Sequence, residues 1–519
     1  MPSYSRAFWT NTLAATCLAA AALLSPAAAE TKLEMVIAAP FGPKSSIPDP
    51  RARQNGWLSN RAGVSETLIG IGYDMTLQPR LATGFENLSE REWKITLREG
   101  VKFHDGSAVT AQAVKESFEK LSEEGHPGNN PRLVKLLNIE SIELVDDKTL
   151  VFRTNAPNSA FLWSLTEPSA AVMKDGTDAM PLVGTGPFVF DNAETDKTYV
   201  TTGFADYWGG APKLDRLVID AISDPSVAAL ALQAGDVDLV TNYPEPDFAK
   251  LLEEGKGQLF SEATARLFFL QPRVNDGPLS NQTVLNAVSL GLDRDTIVAA
   301  TLAGVGGQSA DGIFPASMKS WVNGDISLSY DPAKAQAMLD EAGITDSDGN
   351  GIRELNGEDI VLKIRSYEGR AALRPTLEIS QIMLQQIGLG AEIAMGEFGA
   401  NNEALKAGEI DLHLQAWGTA PQGDPDYFPS TLVATDGSYN VSGYSNPELD
   451  ALLEKGRSLF SSEERKPVYA EVQAIINRDL PVIPLFHKTQ VSVGNGKVEG
   501  YRIHPAETYL ASPELAIAE

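Results

Sequence analysis

Cysteine is almost absent from this sequence: Cys17 is the only one among 519 residues. It lies within an apolar run, residues 13–24, which follows Arg6 and ends in a stretch of proline and alanine. That pattern predicts a signal peptide over residues 1–29 with cleavage before Glu30. A mature chain that starts there contains no thiol, so its stability must come from packed cores. Lipidation at Cys17 stays open as an alternative, although the apolar run continues past the cysteine.

Long hydrophobic runs and positive charge are also scarce. The early apolar run is shorter than the ~20 residues that a membrane-spanning helix needs, and no later stretch approaches that length. Lysine and arginine are outnumbered by acids, which gives a formal net charge of −27. This excess argues against nucleic acid and anionic membranes as partners.

Motifs for catalysis are missing as well. The sequence contains no G-x-S-x-G, no H-E-x-x-H and no phosphate-binding G-x-x-x-x-G-K-[ST], so we expect no enzyme. Its five histidines form no i, i+4 pair, so spacing gives no support to a transition-metal site built by the protein. His413 is the nearest candidate for a single added ligand. A secreted hydrolase and a periplasmic chaperone or sensor subunit remain the alternatives from other functional classes.

Strand and helix patterns alternate along the mature chain. Residues 33–39 predict a first strand, 226–234 a helix ended by Gly235, and 237–240 the next strand. Residues 91–103 predict a half-buried hairpin, and 484–486 and 490–493 predict two late strands. This rhythm is typical of α/β folds.

The chain is too long for one core, because single cores stop growing beyond roughly 250 to 300 residues. We therefore expect two lobes with a ligand cleft between them. Lobe I takes residues 30–262 and 487–519 and carries an inserted subdomain, and lobe II takes 263–486.

Several segments resemble the solute-binding proteins of family 5, the oligopeptide, dipeptide and nickel receptors of ABC importers. They are Trp93–Gly106 with Thr110–Val114, Val183–Phe188, Asp206–Trp208, Leu232–Asp238 and Pro481–Leu485. The resemblance implies a two-lobed periplasmic binding protein of type II, of the large peptide and nickel receptor kind. It also implies a monomer in the periplasm that delivers its ligand to an ABC permease and ATPase complex in the inner membrane.

Within that family, residues 55–57 and 416–428 look most like the branch that takes up nickel or metal-metallophore chelates. The implied ligand is nickel or another metal, chelated by histidine or by a metallophore that bears carboxylates. A dipeptide, oligopeptide or opine is the alternative. Nickel receptors of this type carry an arginine where this chain has Glu167–Ala170, which puts the nickel-chelate ligand set in doubt.

Candidate ligand-binding residues follow from the chemistry of a small polar ligand. Aromatic side chains with a few fixed polar groups suit such a cleft, and a guanidinium matches a carboxylate. The candidates are Trp57, Arg61, Arg132, Arg370, Arg374, Trp417, Asp424 and Tyr427. No cofactor is required, since chelated nickel would be the ligand itself.

One acidic turn resembles the start of a calcium loop. Asp346, Asp348 and Asn350 supply oxygens at alternate positions. The twelfth position, where such a loop needs a bidentate glutamate, is Gly357, and Glu358 comes one place late. A structural Ca²⁺ site and an ordinary polar turn are the two interpretations.

Overall fold

The computed structural model describes residues 33–52, 54–368 and 370–518. The predicted signal peptide and Cys17 therefore lie outside the described residues. Within these ranges, every helix is too short or too polar to cross a membrane.

Several helices begin at a residue whose side chain caps the first turn. Thr110 accepts a hydrogen bond from the amide of Ala113, and Asp224 accepts from Ser226 and Val227, as N-cap side chains do. The helices are α1 (Gln54–Arg61), α2 (Ala111–Glu119), α3 (Pro131–Leu137), α4 (Phe161–Ser164), α5 (Pro225–Ala234), α6 (Glu245–Glu254), α7 (Gln282–Gly291), α8 (Arg294–Leu302), α9 (Pro332–Glu341), α10 (Leu373–Gln386), α11 (Phe398–Ala407), α12 (Tyr427–Leu432), α13 (Pro447–Ser458) and α14 (Ser462–Asp479). Short 3₁₀ turns lie at Pro168–Ala170, Pro278–Ser280 and Ala316–Met318.

The strands divide between one large sheet and several small ones. They are β1 (Glu34–Ala39), β2 (Ile69–Ile71), β3 (Leu77–Pro79), β4 (Ala82–Ser89), β5 (Glu92–Leu97), β6 (Ile139–Asp146), β7 (Thr149–Thr154), β8 (Lys174–Thr177), β9 (Met180–Val183), β10 (Phe188–Glu194), β11 (Thr198–Gly203), β12 (Arg216–Ala221), β13 (Leu239–Val240), β14 (Gln258–Pro272), β15 (Gly307–Ser309), β16 (Glu354–Leu355), β17 (Glu358–Asp359), β18 (Val361–Tyr367), β19 (Gly390–Gly396), β20 (Leu412–Gly418), β21 (Ile483–Gly494), β22 (Val498–Glu499) and β23 (Ala516–Ile517). The predicted strand at 33–39 and the helix at 226–234 are confirmed as β1 and α5.

The large sheet has the order β10-β11-β12-β1-β13-β21-β14-β20-β18-β19, with β15 also paired to β21. Its two long central strands, β14 and β21, run antiparallel, and their register shifts between Ala263 and Leu267. Both strands pass through the segments where the sequence predicts that the chain crosses between lobes. The lobe boundaries themselves stay a prediction.

The prediction of two separate late strands is wrong, because residues 483–494 form one continuous strand, β21. Nearly all of its residues are buried, since β14 and β13 pair with it along its length. The local pattern shows a polar interruption at His487–Lys488, but main-chain pairing continues through it.

The prediction of a hairpin within residues 91–103 is also wrong, because the strand in this segment pairs with strands outside it. Strand β5 pairs with β4 on one side and β7 on the other, in a small sheet of order β4-β5-β7-β6. The segment after β5 makes only a single bridge, between Lys102 and Ala108. The alternating pattern identifies a strand correctly, but it does not encode which strand will pair with it.

Strand β14 separates two of the hydrophobic cores. Phe268 and Leu270 pack among α7, α8 and α10, whereas Leu267 and Phe269 pack toward α12, α13 and α14. This alternation follows from side chains that point to opposite faces of a strand. Residues 265 and 266, which precede this buried part of β14, are held in place by it.

Candidate functional site

A cavity of about 380 Å³ gathers residues that are far apart in the sequence. It is lined by Trp57, Arg61, Arg132, Glu167, Ala265, Arg266, Trp417, Gly418, Pro421, Tyr427, Tyr439, Pro505, Ala506 and Glu507. Five of the eight predicted ligand residues are among them: Trp57, Arg61, Arg132, Trp417 and Tyr427. The volume lies in the range of small-molecule sites.

Arg61 is the last residue of α1 and points its guanidinium toward this cavity. Its Nε donates a hydrogen bond of 2.6 Å to the carbonyl oxygen of Glu507. Its Cζ lies 4.3 Å from the ring centre of Phe41 and 5.5 Å from that of Trp57. Among the described residues, no carboxylate lies within ion-pair distance of it. Burial and the charge of Arg266 lower the pKa of Arg61 to about 10, although the charge of Glu507 opposes them.

Arg266 and Glu507 form an ion pair across the cavity floor that sequence reasoning missed. Arg266 Nε lies 3.2 Å from Glu507 Oε1, and its Nη2 donates to Oε2. Burial opposes ionisation of Glu507, but the charge and hydrogen bonds of Arg266 outweigh it and lower the pKa to about 2. In sequence, Arg266 looks like an ordinary polar position of a strand and Glu507 like a tail residue, so neither pattern signals a site.

Arg132 and Glu167 form a second ion pair in the lining. Arg132 Nη1 lies 3.2 Å from Glu167 Oε1, and Gln422 donates to the other carboxylate oxygen. Glu167 begins the stretch Glu167–Ala170, in which the arginine of the nickel receptors is missing. This stretch therefore contributes an acid to the cavity, and that acid is the partner of Arg132.

Aromatic rings make up much of the remaining lining. The ring centres of Trp417 and Tyr439 are 4.8 Å apart in an edge-to-face arrangement. Tyr427 follows the Gly/Pro loop after β20, and burial raises the pKa of its hydroxyl although Arg132 lies close. Tyr439 was not predicted, because it lies in a polar stretch with no periodic pattern.

Three predicted residues lie outside the lining. Asp424 is buried and accepts hydrogen bonds of 3.1 and 2.8 Å from Arg465, so its role here is to hold the loop against α14. Arg374 is exposed and pairs with Glu368 at 3.1 Å. Arg370 is exposed too, and the charge of Arg266 lowers its pKa.

His413 is buried in β20, and its Nδ1 lies 3.0 Å from Asn402 Oδ1. Burial lowers its pKa to about 3, and its Nε2 has no hydrogen-bond partner among the described residues. It does not line the cavity. The described lining contains no histidine, cysteine or methionine, so the residues present do not fit a transition metal held by protein ligands alone.

The acidic turn at Asp346 brings three carboxylates within 4.8 Å of one another: Asp346, Asp348 and Glu354. The expected ligand Asn350 instead donates to Asp348 and Asp359 at 3.2 and 2.9 Å. The third carboxylate is that of Glu354, which the spacing of the sequence did not single out. Calcium at this turn stays a prediction.

Comparisons with known proteins agree with this architecture. Residues 76–440, more than half of the chain, match the model for the middle part of the bacterial extracellular solute-binding proteins of family 5. The chain is 29% identical over 463 residues to heme-binding protein A of Haemophilus influenzae, covering 82% of this chain and 81% of that one. It is 28% identical over 472 residues to the glutathione-binding protein GsiB of Salmonella typhi, covering 87% and 89%.

A solved structure, the nickel ABC transporter from Bacillus halodurans, superposes with a TM-score of 0.79. Its sequence is 26% identical, and the match covers 94% of this chain and 100% of that one. The mixed α/β fold is that of the two-lobed periplasmic binding proteins, as the sequence predicts.

Proposed function

The chain belongs to the bacterial extracellular solute-binding proteins of family 5, and from this membership we propose that it captures a small metal chelate through the chelator's carboxylates. Members of this family are extracytoplasmic and deliver ligands to ABC permease and ATPase complexes. The family includes receptors for several ligand classes, of which the nickel branch is one.

The observation that carries this proposal is the Arg61 guanidinium. It faces the cavity with a backbone carbonyl and aromatic rings as partners. Arg61 is half-buried, and the carboxylate whose charge reaches it, Glu507, is already paired with Arg266. A ligand carboxylate would supply Arg61 with a charge-assisted, bidentate partner of its own. The other two arginines of the lining each have a glutamate, so the cavity carries one positive charge in excess.

Chelated metal is favoured over bare metal by the chemistry of the lining. Both glutamates are engaged by arginines, and the described lining offers no nitrogen or sulfur donor. A metal would thus arrive with its coordination filled by a chelator, whose flat apolar parts would pack against Trp57 and Trp417. The names of two similar proteins refer to metal-containing ligands: heme-binding protein A and the nickel ABC transporter.

A short peptide is the second candidate. A zwitterion needs a cation for its carboxylate and an acid for its ammonium group, and the cavity places Glu167 and Glu507 beside the three arginines. The glutathione-binding relative supports this candidate. It differs from the first in needing no metal.

Calorimetry on the purified mature chain tests the choice. The titrants are nickel–histidine, nickel–citrate and ferric EDTA, with glutathione, a dipeptide, metal-free histidine and citrate, and nickel chloride as matched comparisons. We expect saturable binding of at least one chelate and no binding of nickel chloride. Tighter binding of glutathione or the dipeptide than of every chelate would favour the second candidate. Failure of all of them would contradict both.

The proposal requires no covalent step and one copy of the chain per ligand. A screen with ester and glycoside substrates is expected to give no turnover above buffer, and turnover would favour the hydrolase alternative. Light scattering coupled to gel filtration is expected to give a monomer with and without ligand.

A further inference from the structure

A second cavity, of about 490 Å³, shares no lining residue with the first. It is formed by the segment that follows α1, by residues around β2 and β3, and by two stretches of the carboxy-terminal tail, 500–502 and 509–514. The proposed function of the first cavity does not use it. Its size alone admits a ligand of two or three fused rings.

Two guanidiniums lie over tyrosine rings at this cavity. Arg502 Cζ lies 3.9 Å from the ring centre of Tyr73, and Arg80 Cζ lies 4.5 Å from that of Tyr509. His504 lies between the two rings, edge-on to each. Across the described part of the chain, neither arginine has a carboxylate within ion-pair distance, which is unusual in a protein with a net charge of −27.

The two acids of the lining are already engaged. Glu66 accepts hydrogen bonds of 2.8 Å from the Tyr207 hydroxyl and 3.0 Å from Trp208 Nε1. Burial raises the pKa of Glu66, although these bonds and the charge of Arg80 oppose the rise. Glu514 pairs with Lys213 at 3.3 Å at the surface. Against the two guanidiniums, the lining therefore leaves the single carboxyl group of Glu66, and its charges sum to a positive value.

We infer that the second cavity is a separate ligand site, which takes a planar anion of the aromatic carboxylate class. The guanidiniums of Arg80 and Arg502 would pair with the carboxylate, and the rings of Tyr73 and Tyr509 would contact the flat apolar part. Arginine can contact a ring and a carboxylate together, because its planar guanidinium stacks on the ring and donates two hydrogen bonds to the carboxylate in a forked geometry. The site is independent of whatever the first cavity binds.

The test uses the mature chain and the probe 2-naphthoate, measured by calorimetry. The neutral 2-naphthalenemethanol removes the charge, and cyclohexanecarboxylate removes the aromatic plane. The variants R502Q and Y73L change exposed side chains of the cavity, so both are expected to fold. The exposed Arg478 on α14 gives a matched control, R478Q, and R61M reports on the first cavity.

We expect 2-naphthoate to bind saturably and both matched compounds to bind at least about tenfold more weakly. R502Q and Y73L should each weaken the probe by about threefold to tenfold, while R478Q and R61M leave it unchanged. A crystal structure with the probe should place it between Tyr73 and Tyr509.

The inference is overturned if 2-naphthoate shows no saturable binding. It is equally overturned if R61M abolishes binding while R502Q and Y73L do not, because the probe would then occupy the first cavity. If one variant is unstable by circular dichroism, the other still decides the outcome.

Discussion

Arg61 is half-buried and positively charged, and no carboxylate among the described residues is ion-paired with it. We therefore expect ligand affinity to depend on it more than on the other residues of the lining. Its position at the end of α1 is fixed by two bonds to the tail: its Nε donates to Glu507, and its own carbonyl accepts from the amide of Ala511 at 2.7 Å. The guanidinium is thus held in place before a ligand arrives.

Replacing Arg61 by methionine removes the charge and keeps the apolar stem. Because a hydrogen bond to a charged group contributes about 1.5–3 kcal/mol, we expect the ligand identified by calorimetry to bind about ten- to a hundredfold more weakly. The matched control is R374M, whose arginine is exposed and pairs with Glu368. An equal loss of affinity in R374M would contradict this assignment.

Asp424 and Arg465 provide a prediction about stability instead of binding. Their side chains are 4% and 3% exposed, and removing one partner leaves the other charged and buried. We expect R465M to lower the free energy of unfolding by about 3–5 kcal/mol, measured by urea denaturation.

The neighbouring Lys466 offers the control for that prediction, because it pairs with Glu463 at the surface. K466M is expected to cost less than about 1 kcal/mol. If the two variants were equally stable, the buried pair would have no net role in holding the loop.

Glu507 predicts a dependence of stability on pH. Its pKa in the fold, about 2, lies below its ordinary value of 4.5, so its contribution is complete above pH 4.5 and is lost as the pH falls toward 2. The shift corresponds to about 3 kcal/mol at neutral pH. We expect E507Q to be less stable than the parent chain at pH 6, with a difference that shrinks at pH 4 and again at pH 3.

Urea titrations at those three pH values measure this difference. The exposed Glu253 on α6 gives the control, E253Q, for which we expect no such trend. A gap between E507Q and the parent chain that stays constant with pH would show that the carboxylate is not selectively stabilised in the fold.

At the scale of elements, the turn between β9 and β10 lies in Val183–Phe188, one of the segments that resemble family 5. Its glycines pack closely against the backbone of a neighbouring segment. A Cβ on Gly186 would collide with the carbonyl oxygen of Gly63, and one on Gly184 with that of Val64. Just after this turn, the amide of Phe188 donates a hydrogen bond of 3.0 Å to the carbonyl oxygen of Gly63. The two glycines thus let β10 approach the segment that follows α1.

A single methyl group tests this packing. We expect G186A to lower the free energy of unfolding by about 1–3 kcal/mol, because backbone atoms must shift to admit the Cβ. Gly324 has open space around it and no positive φ, so G324A should be neutral or slightly stabilising. Thermal unfolding of the two variants side by side checks the prediction, and equal midpoints would contradict it.

At the scale of the whole molecule, the first cavity draws on segments from residue 57 to residue 507. No single stretch of the chain could form it without the rest of the fold, so a ligand that binds there favours the folded state as a unit. Closure of the lobes around the ligand remains a prediction.

Linkage sets the size of that effect. At a ligand concentration of a hundred times Kd, stability should rise by about 2.7 kcal/mol, and the unfolding midpoint should rise with it by a few degrees. Differential scanning calorimetry of the parent chain and R61M, with and without the ligand, checks this. A shift of equal size in R61M would place the binding event elsewhere.

The sequence by itself determined the features that depend on local pattern and composition. Strand β1, helix α5 with its end at Gly235, and the family could be predicted, because apolar periodicity, helix-ending glycines and family motifs are encoded within short stretches. Five residues of the cavity, Trp57 and Arg61 among them, were predicted because aromatic and guanidinium groups suit a small polar ligand. The structure places all five in helices or strands.

Only the tertiary structure decided what depends on pairing between distant segments. The pairing of β5 with β7, the Arg266–Glu507 ion pair and the partnership of Arg132 with Glu167 join residues separated by tens to hundreds of positions. The same residue types also occur in exposed pairs, as Arg374 does with Glu368. Which arginine faces a ligand is therefore set by burial and by the partner that the fold supplies, and neither is encoded in the local sequence.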